Sequence, residues 1–436
     1  MKNYPKYVKT TLNHIIHDMG KHPEDFCVDP ERNFTRNRKL HFEDILSLLV
    51  KMGGKSLRNE ILNNFGYAAN TATVSAFVQQ RVKIKPEALA HLFHKFTDTC
   101  SRPNLYKEYQ LLAVDGSDLQ FTANPDDPLS YFPGVNGQLH YSFLHLNALY
   151  DLNSRLYRDA VVQKKRVTHE NAALIEMIDR MEEKIPAIVI ADRNYESYNT
   201  LEHIRKKGWF YLIRLKEARG ILTKLPLPDG EFDLTFQIYL TRKQTNATKT
   251  LIKENPGIYR FLPQNCDFPY LPKNSPDFYP ITLRFVRFHI SDDSTETLIT
   301  NLEEDMFPVE ELKQLYHLRW NIETSFRQLK YTIGLSQFQS KKVENITQEI
   351  FARLTMYNFC ELITSHVVIQ NKNRKLTYQV NFSAAVHICR KFLRGSIAPP
   401  NVEALIKKEV VPIRPGRSTP RKTKSIKFKG FLYRIA

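Results

Sequence analysis

An α/β protein with a mixed sheet is the fold class that this sequence predicts, with helices ahead of the sheet and a β-rich stretch set into it. Three observations predict it. The apolar runs "YQLLAVDGS" and "PAIVIADRNY" read as buried strands, each ending in an acid. "LHYSFLHLNALYD" and "RLYRDAVVQ" flank the polar turn "DLNS" and read as a β-hairpin. From "HENAALIEMIDRMEEK" onward, helical and strand patterns alternate through "YNTLEHIRKKG" and "WFYLIRLK". Antiparallel strands followed by such alternation mark a sheet of mixed direction.

The elements before the sheet are helical. "FEDILSLLVKMGG" has apolar residues at helical spacing and stops at Gly53-Gly54. "SLRNEILNNFG" repeats the form, and "TATVSAFVQQRVKI" carries Arg81, Lys83 and Lys85 at its end. Residues 1–110 hold 17 basic and 11 acidic side chains. This suits a DNA-binding domain over residues 1–105, and it suits equally a helical cap on the next domain. The core is expected over 106–219 and 301–370. Between them, "EFDLTFQIYL" and "ITLRFVRFHI" alternate as half-buried strands around a Pro- and Asn-rich stretch. They are expected to form a separate β-rich insertion over 220–300 rather than to continue the sheet. Residues 371–436 are expected to be a helical region and a basic tail. From Asn401 that tail has ten Lys/Arg against two Glu and reads as a DNA-contacting arm.

Composition limits the function classes. Over 436 residues, 63 Lys+Arg against 46 Asp+Glu give a formal charge of +17. A field of that sign favours polyanions, nucleic acid foremost. The five cysteines are scattered, with no zinc-like or dithiol spacing. They fit buried thiols in a reducing cytosol. No run is apolar and long enough to span a bilayer, and the N-terminus lacks a signal-peptide pattern, so a cytoplasmic protein is expected.

The densest chemistry lies in "YHLRWNIETSFRQLK". On one continuous helix, Tyr316, Arg319, Glu323 and Lys330 fall within a stripe about 60° wide and roughly 21 Å long. Leu315, Leu318, Ile322, Phe326 and Leu329 form a separate apolar stripe, and Trp320 lies just across the polar line. An acid closing an apolar strand is costly without compensation. Asp115 and Asp192 both occupy such positions. With Glu323 they make a three-carboxylate oxygen set, the donor chemistry that Mg²⁺ or Mn²⁺ needs. Among the neighbours, Asp118 ranks second to Asp115 as a ligand. Asp151 fits a turn, Glu170 and Glu196 fit helix starts, and His169 and Trp209 fit structural roles.

These residues resemble the bacterial cut-and-paste DDE transposases, and more narrowly the insertion-sequence-four family with its Tyr-x2-Arg-x3-Glu-x6-Lys signature. "AVDGSDLQF" and "VIADRNYESYN" resemble the two aspartate motifs of that family, and "TATVSAFVQQR" resembles its N-terminal segment. The resemblance covers roughly residues 40 to 365. It implies an RNase H-like sheet on which Asp115, Asp192 and Glu323 bind two Mg²⁺ (or Mn²⁺) ions. It implies that Tyr316 and Arg319 hold the DNA backbone, that Lys330 meets terminal phosphates and that Trp320 stacks at a displaced base. Arg193 is expected to be a further DNA contact. The implied partners are transposon terminal inverted repeats and target DNA, bridged by a homodimer in a bacterial, nucleoid-associated setting. A nuclease or resolvase on the same fold, or an inactive DNA-binding relative, are the alternatives.

Overall fold

The computed structural model describes residues 3–134, 139–181, 185–217, 220–291, 294–369 and 377–413. The expected basic arm lies mostly beyond the described residues.

Five helices come first: α1 (Tyr4–Lys21), α2 (Phe42–Lys51), α3 (Leu57–Asn64), α4 (Val74–Arg81) and α5 (Pro86–Cys100). Local chemistry sets their starts. Thr73 caps α4 by accepting from the Ala76 amide at 3.1 Å, and a proline opens α5, where its missing N–H costs nothing.

The sheet comes next. Its strands are β1 (Gln110–Phe121), β2 (Tyr131–Phe132), β3 (Tyr141–Asp151), β4 (Leu156–Lys164), β5 (Ala187–Ala191), β6 (Phe210–Arg214), β7 (Phe232–Thr241), β8 (Tyr259–Phe261), β9 (Phe278–Ser291) and β10 (Ser294–Thr300). They form one ten-stranded sheet in the order β2-β3-β1-β5-β6-β10-β9-β7-β8, with β4 on β3. β1, β5 and β6 run parallel, and β3, β4, β9 and β10 join antiparallel to their neighbours. The sheet is therefore mixed, as expected.

The remaining helices are α6 (Glu170–Arg180), α7 (Tyr198–Lys206), α8 (Asn246–Glu254), α9 (Val309–Leu318), α10 (Trp320–Arg327), α11 (Val343–Thr364), α12 (Phe382–Leu393) and α13 (Asn401–Lys408).

Two expectations are corrected. Residues 220–300 do continue the sheet. β9 is long enough to pair with β7 on one side and β10 on the other, and β10 pairs with β6. The strand Ser294–Thr300, placed outside the core by a boundary at 300, thus connects β6 to the rest. The reason is register: β9 pairs with β7 from Phe278 to Arg287 and with β10 from Arg284 on, so its middle lies between two strands and buries Phe285 and Val286.

The N-terminal helices are likewise no separate body. They share one apolar core with the α9–α12 side of the sheet, running from Tyr4 to Ile406. The 22-residue α11 is their common surface and is buried along nearly all its length. Two buried arginines tie the parts together. Arg81 bonds Glu349 and Gln348, each at 2.9 Å, and the Asn345 carbonyl. Arg353 donates to the carbonyls of Met52 and Gly53 at the end of α2. The Arg81 cluster read as a basic helix end is therefore partly interior. The second core, on the other sheet face, is closed by α6 and α7.

Candidate active site

Strand parity decides which acids share a face. Leu111 and Ala113 of β1 face the core shared with α9–α12, and Leu112 and Val114 face α6. Asp115 therefore projects toward the α9–α12 side. β5 pairs with β1 in parallel, with Gln110 opposite Ala187 and Ala113 opposite Ile190. Two residues further along each strand stand Asp115 and Asp192. Asp192 lies just past β5, where its carboxylate accepts from the Asn194 amide at 2.9 Å and caps the turn Arg193–Tyr195.

Asp115 is not at a strand end. β1 runs on through Gly116 to Phe121, so "DG" here is strand, not turn. Only the pairing with β5 stops, at Ala113. Asp115 Oδ1 accepts from the Gly116 amide at 2.8 Å. Burial pushes the Asp115 carboxyl up to about 6. The Gly116 bond and the Arg319 charge oppose that shift, and the charges of Asp192 and Glu323 add to it. Asp115 thus feels the charges of both other carboxylates.

Glu323 comes from α10. The segment expected as one helix is interrupted: α9 ends at Leu318, α10 starts at Trp320, and Gln328–Ile333 is a π-helical turn. Wider turns at Lys330 rotate it away from its ideal angular position. Its Nζ donates to the Asp118 carbonyl at 2.7 Å. The apolar stripe docks as expected, with Leu315, Ile322, Phe326 and Leu329 buried and Leu318 partly so.

The polar line is less exposed than expected. Tyr316 is only 4% exposed and belongs to the core, so it is not presented on a surface row. Its helix touches β6 as well as the main core. Arg319 is buried too, and bonds Glu323 Oε1 at 3.0 Å. Its guanidinium lies 4.9 Å from the Trp320 ring centre and 5.8 Å from that of Tyr316. Trp320 is 41% exposed, and Arg193 is exposed on the turn after β5.

The donor set suits a hard cation: three carboxylates and no soft ligand. Two buried polar atoms beside it, Arg319 Nε and Tyr195 Oη, have no hydrogen-bond partner among the described residues. As placed, no three His, Cys, Asp or Glu side chains among the described residues close around one ion. Glu323 is engaged by Arg319, which supplies positive charge at that spot.

Asp118 does not belong to this set. Three residues beyond Asp115, it projects to the opposite face. There it meets His145 Nδ1 at 2.6 Å and Lys165 Nζ at 2.8 Å. Glu170 opens α6 as expected, and its carboxylate also approaches His145 Nε2 at 3.1 Å. His145 was missed because it sits inside an apolar-looking strand; its place opposite Asp118 depends on the β1–β3 register. Asp151 accepts from the Asn153 and Ser154 amides in a turn, His169 caps α6 and Trp209 is core, as expected. Glu196 is no helix start: it accepts from the amides of Lys216 and Ile221 and pins the chain after β6.

Comparison with known proteins gives consistent relatives. The family described as "Transposase DDE domain" matches residues 106–359. The transposase for insertion sequence element IS231B of Bacillus thuringiensis subsp. berliner is 22% identical over 281 residues, covering 59% of this chain and 56% of that protein. The transposase for IS231E of Bacillus thuringiensis subsp. finitimus is 21% identical over 285 residues, covering 58% and 57%. The chain thus spans about half the length of the curated relatives it matches. A solved structure, the cryo-EM piggyBac transposase synaptic complex with hairpin DNA, aligns over 96% of this chain and 87% of that one. Its TM-score is 0.49, at 11% identity. Among the described residues, no helix is long and apolar enough to cross a membrane.

Proposed function

The chain belongs to the transposase DDE domain family, and from that premise we propose that it is a DNA transposase of an insertion sequence. It cuts transposon ends and joins them to target DNA by phosphoryl transfer. The observation that carries this reading is the matched place of Asp115 and Asp192, each two residues past the last β1–β5 pair, beside the helix that supplies Glu323.

In this reading the sheet is an RNase H-like core and the chain is a member of the insertion-sequence-four family, with Tyr316, Arg319, Glu323 and Lys330 as its signature. The proposed organisation keeps residues 1–105 as a helical DNA-binding part, 106–219 and 301–370 as the core, and 220–300 as a β-rich insertion in sequence. Residues 371–436 form the C-terminal part. Asp115, Asp192 and Glu323 would hold two Mg²⁺ or Mn²⁺ ions. Such ions, when bound, supply charge stabilisation for an in-line displacement at a phosphodiester.

The protein's own groups do the rest. Arg319 holds Glu323 and balances the charge of Asp115, and the ring of Tyr316 backs Arg319. Arg319, which pairs with Glu323, would offer its planar donors to a DNA phosphate. Trp320 offers a ring face to a displaced base. Arg193 and Lys330 meet the backbone. The partners in this reading are the terminal inverted repeats and target DNA, bridged by a homodimer in the bacterial cytoplasm.

Glu323→Gln tests the assignment. End binding stays and Mg²⁺-dependent cleavage is lost; a variant that still nicks its ends removes Glu323 from the site. Strand transfer of precut ends separates a transposase from a nuclease, which would hydrolyse only.

A further inference from the structure

An ionic group centred on a buried histidine lies on the reverse face of β1 from Asp115. The His145 ring, 5% exposed, is held between two acids. Nδ1 is 2.6 Å from Asp118 Oδ1, and Nε2 is 3.1 Å from Glu170 Oε1, an ionic contact without hydrogen-bond alignment. Lys165 Nζ reaches the same Asp118 oxygen at 2.8 Å. The Asp118 carbonyl accepts from Lys330 at 2.7 Å. Gly116 is pressed against this group. A Cβ built there would stand 2.3 Å from His145 Nε2 and 2.8 Å from Glu170 Oε1. Glycine is required here by the ring behind it, because the strand conformation at Gly116 is open to any residue. The same Gly116 donates its amide to Asp115 Oδ1 at 2.8 Å. One peptide unit therefore touches the buried ring on one face and orients the carboxylate on the other.

We propose that Glu170, His145 and Asp118 form a brace that fixes the Gly116 peptide and, through it, the orientation of Asp115 for metal binding. His145 is a positioning residue and touches no reacting atom. Burying the imidazole between two partly exposed acids costs desolvation of the ring, which a sheet made only for stability avoids with an apolar side chain. Groups one layer behind a metal ligand commonly set its orientation and the affinity of the site. The Lys330 bond extends the brace to the helical segment that comes after Glu323. The inference rests on the reading of Asp115 as a ligand.

The test is Mn²⁺ binding to the full chain, read from the free-ion paramagnetic signal without DNA. His145→Leu keeps the side-chain bulk and removes both polar contacts. It is expected to weaken Mn²⁺ binding about tenfold or more. Gly116→Ala is expected to do the same, and the double variant to be little worse than either single one, since both act through one contact. Asp159→Asn, which breaks a buried ion pair with His94 and Arg180 apart from the carboxylate set, is the stability control and should leave Mn²⁺ binding unchanged. Should His145→Leu fail to fold, Glu170→Gln, whose partner-facing oxygen is the one at issue, carries the same expectation. If His145→Leu or Glu170→Gln binds Mn²⁺ as the parent does while Asp115→Asn does not, the brace is overturned. If Asp115→Asn also binds as the parent does, the carboxylate reading itself is what has failed.

Discussion

Asp115 and Asp192 each follow by two residues the last pair of the parallel β1–β5 ladder, Ala113 with Ile190. The β1–β5 register pairs residues 77 positions apart, and the two aspartates are separated by that same number. The chain between them is therefore the loop that closes the register, holding the β3–β4 hairpin and α6. Asp115→Asn and Asp192→Asn are expected to lower Mg²⁺-dependent end cleavage by on the order of 10³-fold, with end affinity changed by about threefold or less. Gel-shift and single-turnover cleavage with the same DNA measure both.

Arg319 is the counter-charge to Glu323. Arg319→Ala leaves Glu323 and Asp115 without it and is expected to cost about 1–3 kcal/mol, less than a fully buried pair because Glu323 is partly exposed. Adding Glu323→Gln should return much of that loss. Urea unfolding of the four species of this cycle gives the coupling.

Trp320 is exposed and Trp209 is core, and the chain has no other tryptophan. Trp320→Ala is expected to change stability by about 0.5 kcal/mol or less. The same variant is expected to lose about 1–3 kcal/mol of affinity for ends with an unpaired base. Quenching of the native fluorescence by such DNA should vanish in this variant.

Glu361 lies in the middle of the core on α11, and burial pushes its carboxyl up to about 7. Its folded value lies above the unfolded one, so the folded state holds the proton more tightly. The stabilisation is full below about 4.5 and is lost as pH rises through about 7. Glu361→Gln, which keeps an acceptor for Thr364, should flatten that dependence and raise stability at pH 8 by about 2–3 kcal/mol. Melting curves between pH 5 and pH 8 of both proteins decide it.

Much of the site was legible because its signals are local. An apolar run ending in an acid needs a reason, and "AVDGS" and "VIADR" both lead to carboxylates of the proposed set. The periodicity of 315–329 located the docked stripe. What was not legible depends on long-range pairing. Asp118 ranked second to Asp115 as a ligand, and the parity of β1 turns it to the other face. The need for glycine at 116 comes from His145, 29 residues away in sequence. Tyr316 fell on a polar line by angle, but the packing of α9 buries it together with Leu312 and Leu315. Residues 220–300 alternate as edge strands do, and nothing local says that β9 sits inside a continuous sheet.

The shared core around α11 has a practical consequence for engineering. Residues 1–105 cannot be exchanged here as a cassette. Removing those helices would strip Arg353 of its carbonyl partners and Glu349 of Arg81, and lay bare a long buried helix. A new targeting module has to be appended ahead of α1 as cargo, leaving the native helices where they are.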